Sequence, residues 1–258
     1  MKDRINQLKI SIVEASYNSG EGHIPSAFSI LDILVVLYDK VLKFNPKNPI
    51  DPKRDRFVLS KGHGSLGLYA ILADKGFFHK KHLKSFGKFE GILGGHPDSL
   101  KVPGVEVSTG SLGHGFPTAV GMAIGMRITL NKANVYAIIG DGESNEGTVW
   151  EGALLASHHK LDNLICIVDH NHSTDRAVSV SDIASKFKSF DWVVIKVSGH
   201  NQEEIYQALK TPHIGQPLAI IAETIKGYGS KTMEGNPAWH HKAPTKEEYE
   251  NLVKELSS

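Results

Sequence analysis

Asp141 and Asn171 each stand just beyond a short apolar run. One run is Val135-Tyr136-Ala137-Ile138-Ile139, the other Leu164-Ile165-Cys166-Ile167-Val168. Both have strand length, and the stretch between them, up to His159, reads as a helix. Strand, glycine turn, helix and strand make a βαβ unit, whose crossover renders the two strands parallel. Ligands of open α/β sheets bind beyond the carboxyl ends of the strands, and both polar residues fall there. A carboxylate, an amide oxygen and a nearby backbone carbonyl, with Ser173 as the candidate, form a hard oxygen set. Such a set suits Mg2+ or Ca2+ carrying phosphate oxygens, not a soft metal.

The second chemical feature is histidine: the chain has 14, several of them in loops. His23 lies in Gly22-His23-Ile24-Pro25, His63 in Lys61-Gly62-His63-Gly64 and His96 in Gly95-His96-Pro97-Asp98. His240 and His241 follow Trp239 in an aperiodic stretch. Imidazoles with near-neutral pKa polarise carbonyls, hold hydroxyls and shuttle protons. His158, His159, His170 and His172 have spacings that could suggest zinc, but no thiolate accompanies them, so a structural zinc site is not expected.

Those residues need a scaffold, and the periodicity describes one. Ile5, Leu8, Ile12 and Ala15 have helical spacing, and a second helix runs from about Ser26 to Val41 before Asn45-Pro46 breaks it. Asp55–Ser60 is the first strand, followed by a helix through Leu66 and Ala73. Lys80–Phe86 is a short basic surface helix, and the glycine loop Ser108–Gly115 opens a further helix carrying Gly121, Ala123 and Gly125. Small residues there let a helix approach a neighbour closely. After the central unit come a strand at Asp191–Val197, a helix at Gln202–Leu209 and a strand at Leu218–Thr224. A capping box of Thr245 and Glu248 then starts a last helix. Strands alternating with helices imply one α/β domain over 1–258, with a doubly wound, mostly parallel sheet and helices on both faces.

Composition narrows the classes. The 258 residues are 40% hydrophobic, enough for a buried core, and the formal charge of +1 leaves no electrostatic footprint for nucleic acid. Ile33–Tyr38 is the longest apolar run, too short for a bilayer, and no signal core follows Met1. Cys166 is the single cysteine, which fits a reducing cytoplasm.

The wording of the central unit, GDGESNEG with Glu151 and then His159-Lys160-Leu161-Asp162-Asn163-Leu164, resembles transketolase, a thiamine-diphosphate enzyme family. The histidine contexts resemble its active-site set, from Glu21 to Pro244. The resemblance implies thiamine diphosphate and Mg2+, with Ca2+ or Mn2+ as substitutes. Asp141, Asn171 and Ser173 would hold the metal. His63, Gly110, Leu112, Gly142 and Glu146 would line the cofactor. His23, His96 and one of His240 or His241 would face the sugar or sugar phosphate, and these with His63 and Glu146 make up the implied catalytic set. Glu146 and Glu151 match acids at the dimer contact that couple two active sites; by charge alone each equally suits the first turn of a helix. Only the diphosphate-binding half of a transketolase is matched. The pyrimidine-binding half, with its activating glutamate, is expected on a separate chain. The implied protein is then the N-terminal subunit of a split transketolase, inactive alone and assembled as α2β2.

Two departures stand out. Gly87, followed by Lys88, occupies the place of an arginine that usually follows the phenylalanine matched by Phe86, and lysine lacks the bidentate fork. The loop His172-Ser173-Thr174-Asp175 is more polar than the aliphatic version common in the family. Rival readings are a synthase or decarboxylase subunit using the same cofactor, and a cofactor-binding regulatory partner. A nucleotide-binding Rossmann protein is disfavoured because no G-x-G-x-x-G follows a first strand.

Overall fold

Runs that are apolar at every position, not alternately, mark strands covered on both faces. Val135–Gly140 (β2), Leu164–His170 (β3) and Leu218–Glu223 (β5) are of this kind up to the polar carboxyl ends of the last two, and are buried almost throughout. In the computed structural model, which describes residues 2–175 and 178–257, they form the middle of a sheet. Arg56–Leu59 (β1) and Val193–Ser198 (β4) are its edges, and the order of the five strands is β1-β2-β3-β5-β4, every pair parallel.

The helices are Lys2–Ser19 (α1), Ile24–Val36 (α2), Ser65–Asp74 (α3), Gly115–Ile128 (α4), Gly147–His158 (α5), Ile183–Ser189 (α6), Gln202–Leu209 (α7) and Lys246–Ser257 (α8). Alternate strand residues point to opposite faces. Ile138, Ile167 and Ile220 pack with Ile12, Phe28, Tyr69, Ile205 and Leu252 of α1, α2, α3, α7 and α8. Ala137, Ile139, Val168 and Ile221 pack with Phe116, Val149 and Phe187 of α4, α5 and α6. The doubly wound α/β fold expected from the sequence is therefore the observed one. Its winding follows from handedness: the step from β4 back to β5 reverses direction, so α7 lies on the face opposite α5 and α6.

Local signals are mostly sound. Thr245 and Glu248 make the reciprocal capping pair, with Thr245 N donating to Glu248 Oε2 at 2.8 Å and Glu248 N to Thr245 Oγ1 at 3.3 Å. The second helix differs from expectation in its last turn, which widens to a π turn at Leu37–Val41. Helix α6 is an element that the periodicity does not announce. It has only seven residues, and its cap is an Asp182 carboxylate accepting from Ser185 N at 3.3 Å. Gly121 and Gly125 also behave differently from the expectation of close helix approach, since a Cβ at either would meet nothing within 4 Å in this chain. Among the described residues no helix is long and apolar enough to cross a membrane.

Ile167 is fully buried in the central strand and Ile214 is 92% exposed. Ile167→Ala is expected to lower unfolding free energy by about 2–5 kcal/mol. Ile214→Ala should change it by no more than about 0.5 kcal/mol. Chemical denaturation of the two variants checks the contrast.

Candidate active site

Parallel pairing sets Gly140 level with Asp169. Asp141 and Asn171 therefore leave the carboxyl rim of neighbouring strands, one register step apart, and with Ser173 they line one cavity. A short turn at Gly142–Asn145 begins at once, and Asp141 Oδ1 accepts from Gly142 N at 2.7 Å. Its other oxygen, Oδ2, is buried and has no hydrogen-bond partner among the described residues. Burial first, and then the neighbouring charge of Asp169, push the Asp141 carboxyl above its ordinary value. A divalent cation would relieve both effects, so this donor set fits a hard metal such as Mg2+. Asn171 is already oriented: Oδ1 accepts from Ser173 N at 3.1 Å and Nδ2 donates to Asp169 Oδ2 at 2.8 Å.

Three polar residues that sequence reasoning did not single out complete the rim. Asp169 is fully buried and accepts from Lys61 Nζ, from Thr224 Oγ1 and, at 2.9 Å, from Ser29 Oγ. Burial would raise its pKa, but Lys61 and the hydroxyl donors outweigh it and hold the carboxyl below the usual range. Lys226 lines the same cavity and approaches His240 Nδ1 at 2.9 Å. Burial, reinforced by the Lys61 charge, pulls its ammonium down to about 8. Two lysines facing a cavity that also holds an unpartnered carboxylate oxygen suit an anion bridged by a metal. The signal available in the sequence was Lys61 beside His63 in one strand-to-helix turn, and Lys226 just past the Leu218–Thr224 run.

The loop histidines converge from four segments. Ring centroids lie 4.6 Å apart for His23 and His63, 6.3 Å for His23 and His96, and 5.5 Å for His63 and His96. His240 and His241 are both beside His23, at 5.5 and 4.5 Å, so proximity selects neither. His240 alone of the two lines the cavity shared with Asp141, and its carbonyl oxygen lies 2.8 Å from His23 Nδ1. Desolvation comes first in lowering His23 to about 4 and His63 to about 3, with the neighbouring imidazoles adding to it.

Glycine explains how the loops fit. A Cβ on Gly62 would lie 2.9 Å from Gly110 N and 3.0 Å from His96 Cδ2, so the bare Gly62 backbone lets the Gly110 backbone and the His96 ring close onto it. The 108–115 loop is then tied down by Glu143, which is buried and accepts from Ser60 Oγ, Gly113 N at 3.0 Å and Gly140 N at 3.2 Å. Leu112 lines the cavity, as does Gly142, packed against Thr174. Gly110 lies against His96 instead, and Glu146 sits exposed at the N-cap of α5, outside the cavity lining. Glu151 is exposed one turn further along α5.

A parallel sheet with its polar residues gathered at the carboxyl rim is the architecture of a ligand-binding α/β domain. The chain belongs to the transketolase family: residues 1–257 match the family model for the transketolase thiamine diphosphate binding domain. One of the named subunits of apulose-4-phosphate transketolase from Phocaeicola vulgatus is 38% identical over 95% of this chain and 90% of its own length. A 6-deoxy-6-sulfo-D-fructose transketolase subunit of a Clostridium species is 37% identical over 99% and 96%. Human transketolase is 40% identical over 100% of this chain but only 42% of its own length. Among solved structures, transketolase from Campylobacter jejuni superposes with a TM-score of 0.90 at 33% identity, over 99% of this chain and 42% of that one.

With folded pKa values of about 4 and 3, His23 and His63 stay neutral where an ordinary imidazole would charge. The unfolded chain binds more protons between those values and about 6.5, so their contribution to stability is lost as pH falls through that window. Their ring resonances should show no titration above about pH 5, and His63→Gln should flatten the acid limb of a stability–pH curve. A midpoint near 6.5 for either ring would contradict the geometry.

Proposed function

We propose that this chain is one subunit of a two-chain transketolase, moving a two-carbon ketol unit from a ketose to an aldose. The observation that carries the reading is the unpartnered, buried Asp141 Oδ2 in a cavity shared with Lys61, Lys226 and His240. Asp141, Asn171 and Ser173 hold Mg2+, and the two lysines balance the diphosphate charge. Bound there, thiamine diphosphate supplies the nucleophilic carbon and electron sink that C–C cleavage requires. The chain itself binds and orients. Its histidines, His23, His63, His96 and His240 or His241, accept and donate hydrogen bonds to sugar hydroxyls and carry protons at the carbonyl. Loss of one acting as acid or base costs roughly 10²- to 10⁴-fold in rate. Leu112 and Gly142, which line the cavity, complete the cofactor side, with Gly110 behind His96 and Glu146 at the N-cap of α5 bordering it from outside.

The partner reading rests on the relatives named as subunits, which this chain matches over nearly their full length. Self-association has its own support. Leu154 and Leu155 of α5 and Ile128 of α4 are exposed, and Gly121 and Gly125 of α4 face open space. Small residues whose smallness nothing in the chain requires fit a second copy packed there. The substrate reading turns on Gly87. Its φ of +68° favours glycine, and a Cβ would lie 2.5 Å from Glu21 Oε1. A carboxylate thus neighbours the place of the usual arginine, which favours a sugar whose distal end is not held by a guanidinium of this chain. The single, buried Cys166 suits a cytoplasmic setting.

Calorimetry of the purified chain with its partner subunit should show thiamine diphosphate binding that needs Mg2+ and is lost in Asp141→Asn. Lys226→Ala should weaken it about 10- to 100-fold, the worth of one charge-assisted hydrogen bond. Ketol transfer should require both chains, and activity of this chain alone would overturn the two-chain reading. In sedimentation, Gly125→Arg should shift the assembly toward species carrying one copy of this chain.

A further inference from the structure

Parallel pairing of β3 with β5 sets His170 level with Glu223 at the rim. His170 Nδ1 lies 2.8 Å from Glu223 Oε1, and His172 Nε2 lies 3.2 Å from Glu223 Oε2. The two rings are 4.0 Å apart, and one ligand atom from each of His170, His172 and Glu223 falls within 4.8 Å of the others. The second nitrogen of His172 is also engaged: Nδ1 lies 2.8 Å from Asp175 Oδ2. A carboxylate behind an imidazole whose far nitrogen faces other ligands is the arrangement that orients metal-binding histidines. His172 adopts a left-handed backbone, φ +59°, unfavourable for a residue with a side chain and worth noting where it points a ligand.

We propose that His170, His172 and Glu223, oriented by Asp175, form a second metal site that takes a borderline divalent transition cation such as Zn2+, Ni2+ or Cu2+. Two imidazoles and one carboxylate are three ligands of the type such ions prefer, with coordination positions left for water or another donor. This donor set differs from that at Asp141 and Asn171, which offers oxygen alone. The site adjoins the proposed Mg2+ ligands, since His172 stands between Asn171 and Ser173, but it shares no ligand with them and stands whether or not the ketol-transfer reading holds. It also has a structural consequence: an ion there would pin the loop carrying Asn171 and Ser173 to the end of β5.

The test uses the tag-free full chain, stripped with chelator and titrated with Zn2+ and with Co2+ in excess Mg2+. One equivalent of Zn2+ should survive desalting, and Co2+ should give the visible absorption of a low-coordinate nitrogen and oxygen site. His172→Gln and Glu223→Gln should each abolish the tight equivalent. Asp175→Asn should weaken it about 10- to 100-fold. Asp141→Asn and His240→Ala should retain it, which separates this site from the oxygen site and from the cluster of His23, His63 and His240. Thermal unfolding should rise with Zn2+ in the parent chain and not in Glu223→Gln. No tight equivalent, an equivalent that persists in both His172→Gln and Glu223→Gln, or one lost only in His240→Ala, would overturn the proposal.

Discussion

The rim of this sheet is assembled around one buried ion pair, Lys61 with Asp169. Asp169 is fully buried and Lys61 nearly so. Removing two charges from water is expensive, and the pair persists because its remaining valences are filled. Lys61 also donates to Ser26 O at 3.2 Å and to Ser29 Oγ at 3.0 Å, while Ser29, Thr224 and Asn171 all donate to Asp169. Four segments meet there: the turn after β1, the start of α2, the loop after β3 and the end of β5. Lys61, Asn171, Ser173 and Lys226 of the proposed cofactor site branch from those same segments, and Asp141 joins them from the end of β2. Their placement therefore depends on a polar knot beneath them more than on the surface loops in which they sit.

The lysine above that knot is set by apolar and aromatic packing as well as by charge. His200 accepts from Ile225 N at 2.9 Å through Nε2, leaving Nδ1 to donate to Asp32 Oδ2 at 3.3 Å, and its ring stacks 3.5 Å from Tyr228. Gly227 N donates to Pro25 O at 3.1 Å. Lys226 thus sits in a loop clamped on both sides, with its burial a property of the scaffold. His23 and His63 opposite it owe their lowered pKa values to the same crowding. Imidazoles gathered within a few ångströms cannot all be charged, and desolvation makes even one proton costly.

Much of this was legible in the residues. The apolar runs of β2, β3 and β5, the glycine turn with its acid, and the capping box at Thr245 are local patterns whose physics is local. The fold class follows from their alternation. Three things were not legible. Helix α6 spans barely two turns and has too few apolar positions to establish a period. Asp169 reads as one more residue of an apolar strand, since nothing in its neighbourhood names Lys61, 108 residues earlier, as its partner. The pairing of His170 with Glu223 spans 53 residues and depends on the β3–β5 register, which spacing along the chain does not encode. The four histidines with zinc-like spacing also divide in space: His158 and His159 stay together at the end of α5, while His170 and His172 join a carboxylate from another strand.

Glu143 carries a consequence of another kind. It holds Ser60 after β1, Gly113 in the 108–115 loop and Gly140 at the end of β2 with one carboxylate. Two of these three donors are backbone N–H groups that any residue but proline would keep, so the fastening tolerates exchange of side chains at two of its ends. Only the Ser60 hydroxyl can be lost by replacing a side chain, which makes Ser60 and Glu143 a pair whose replacements have to be made together.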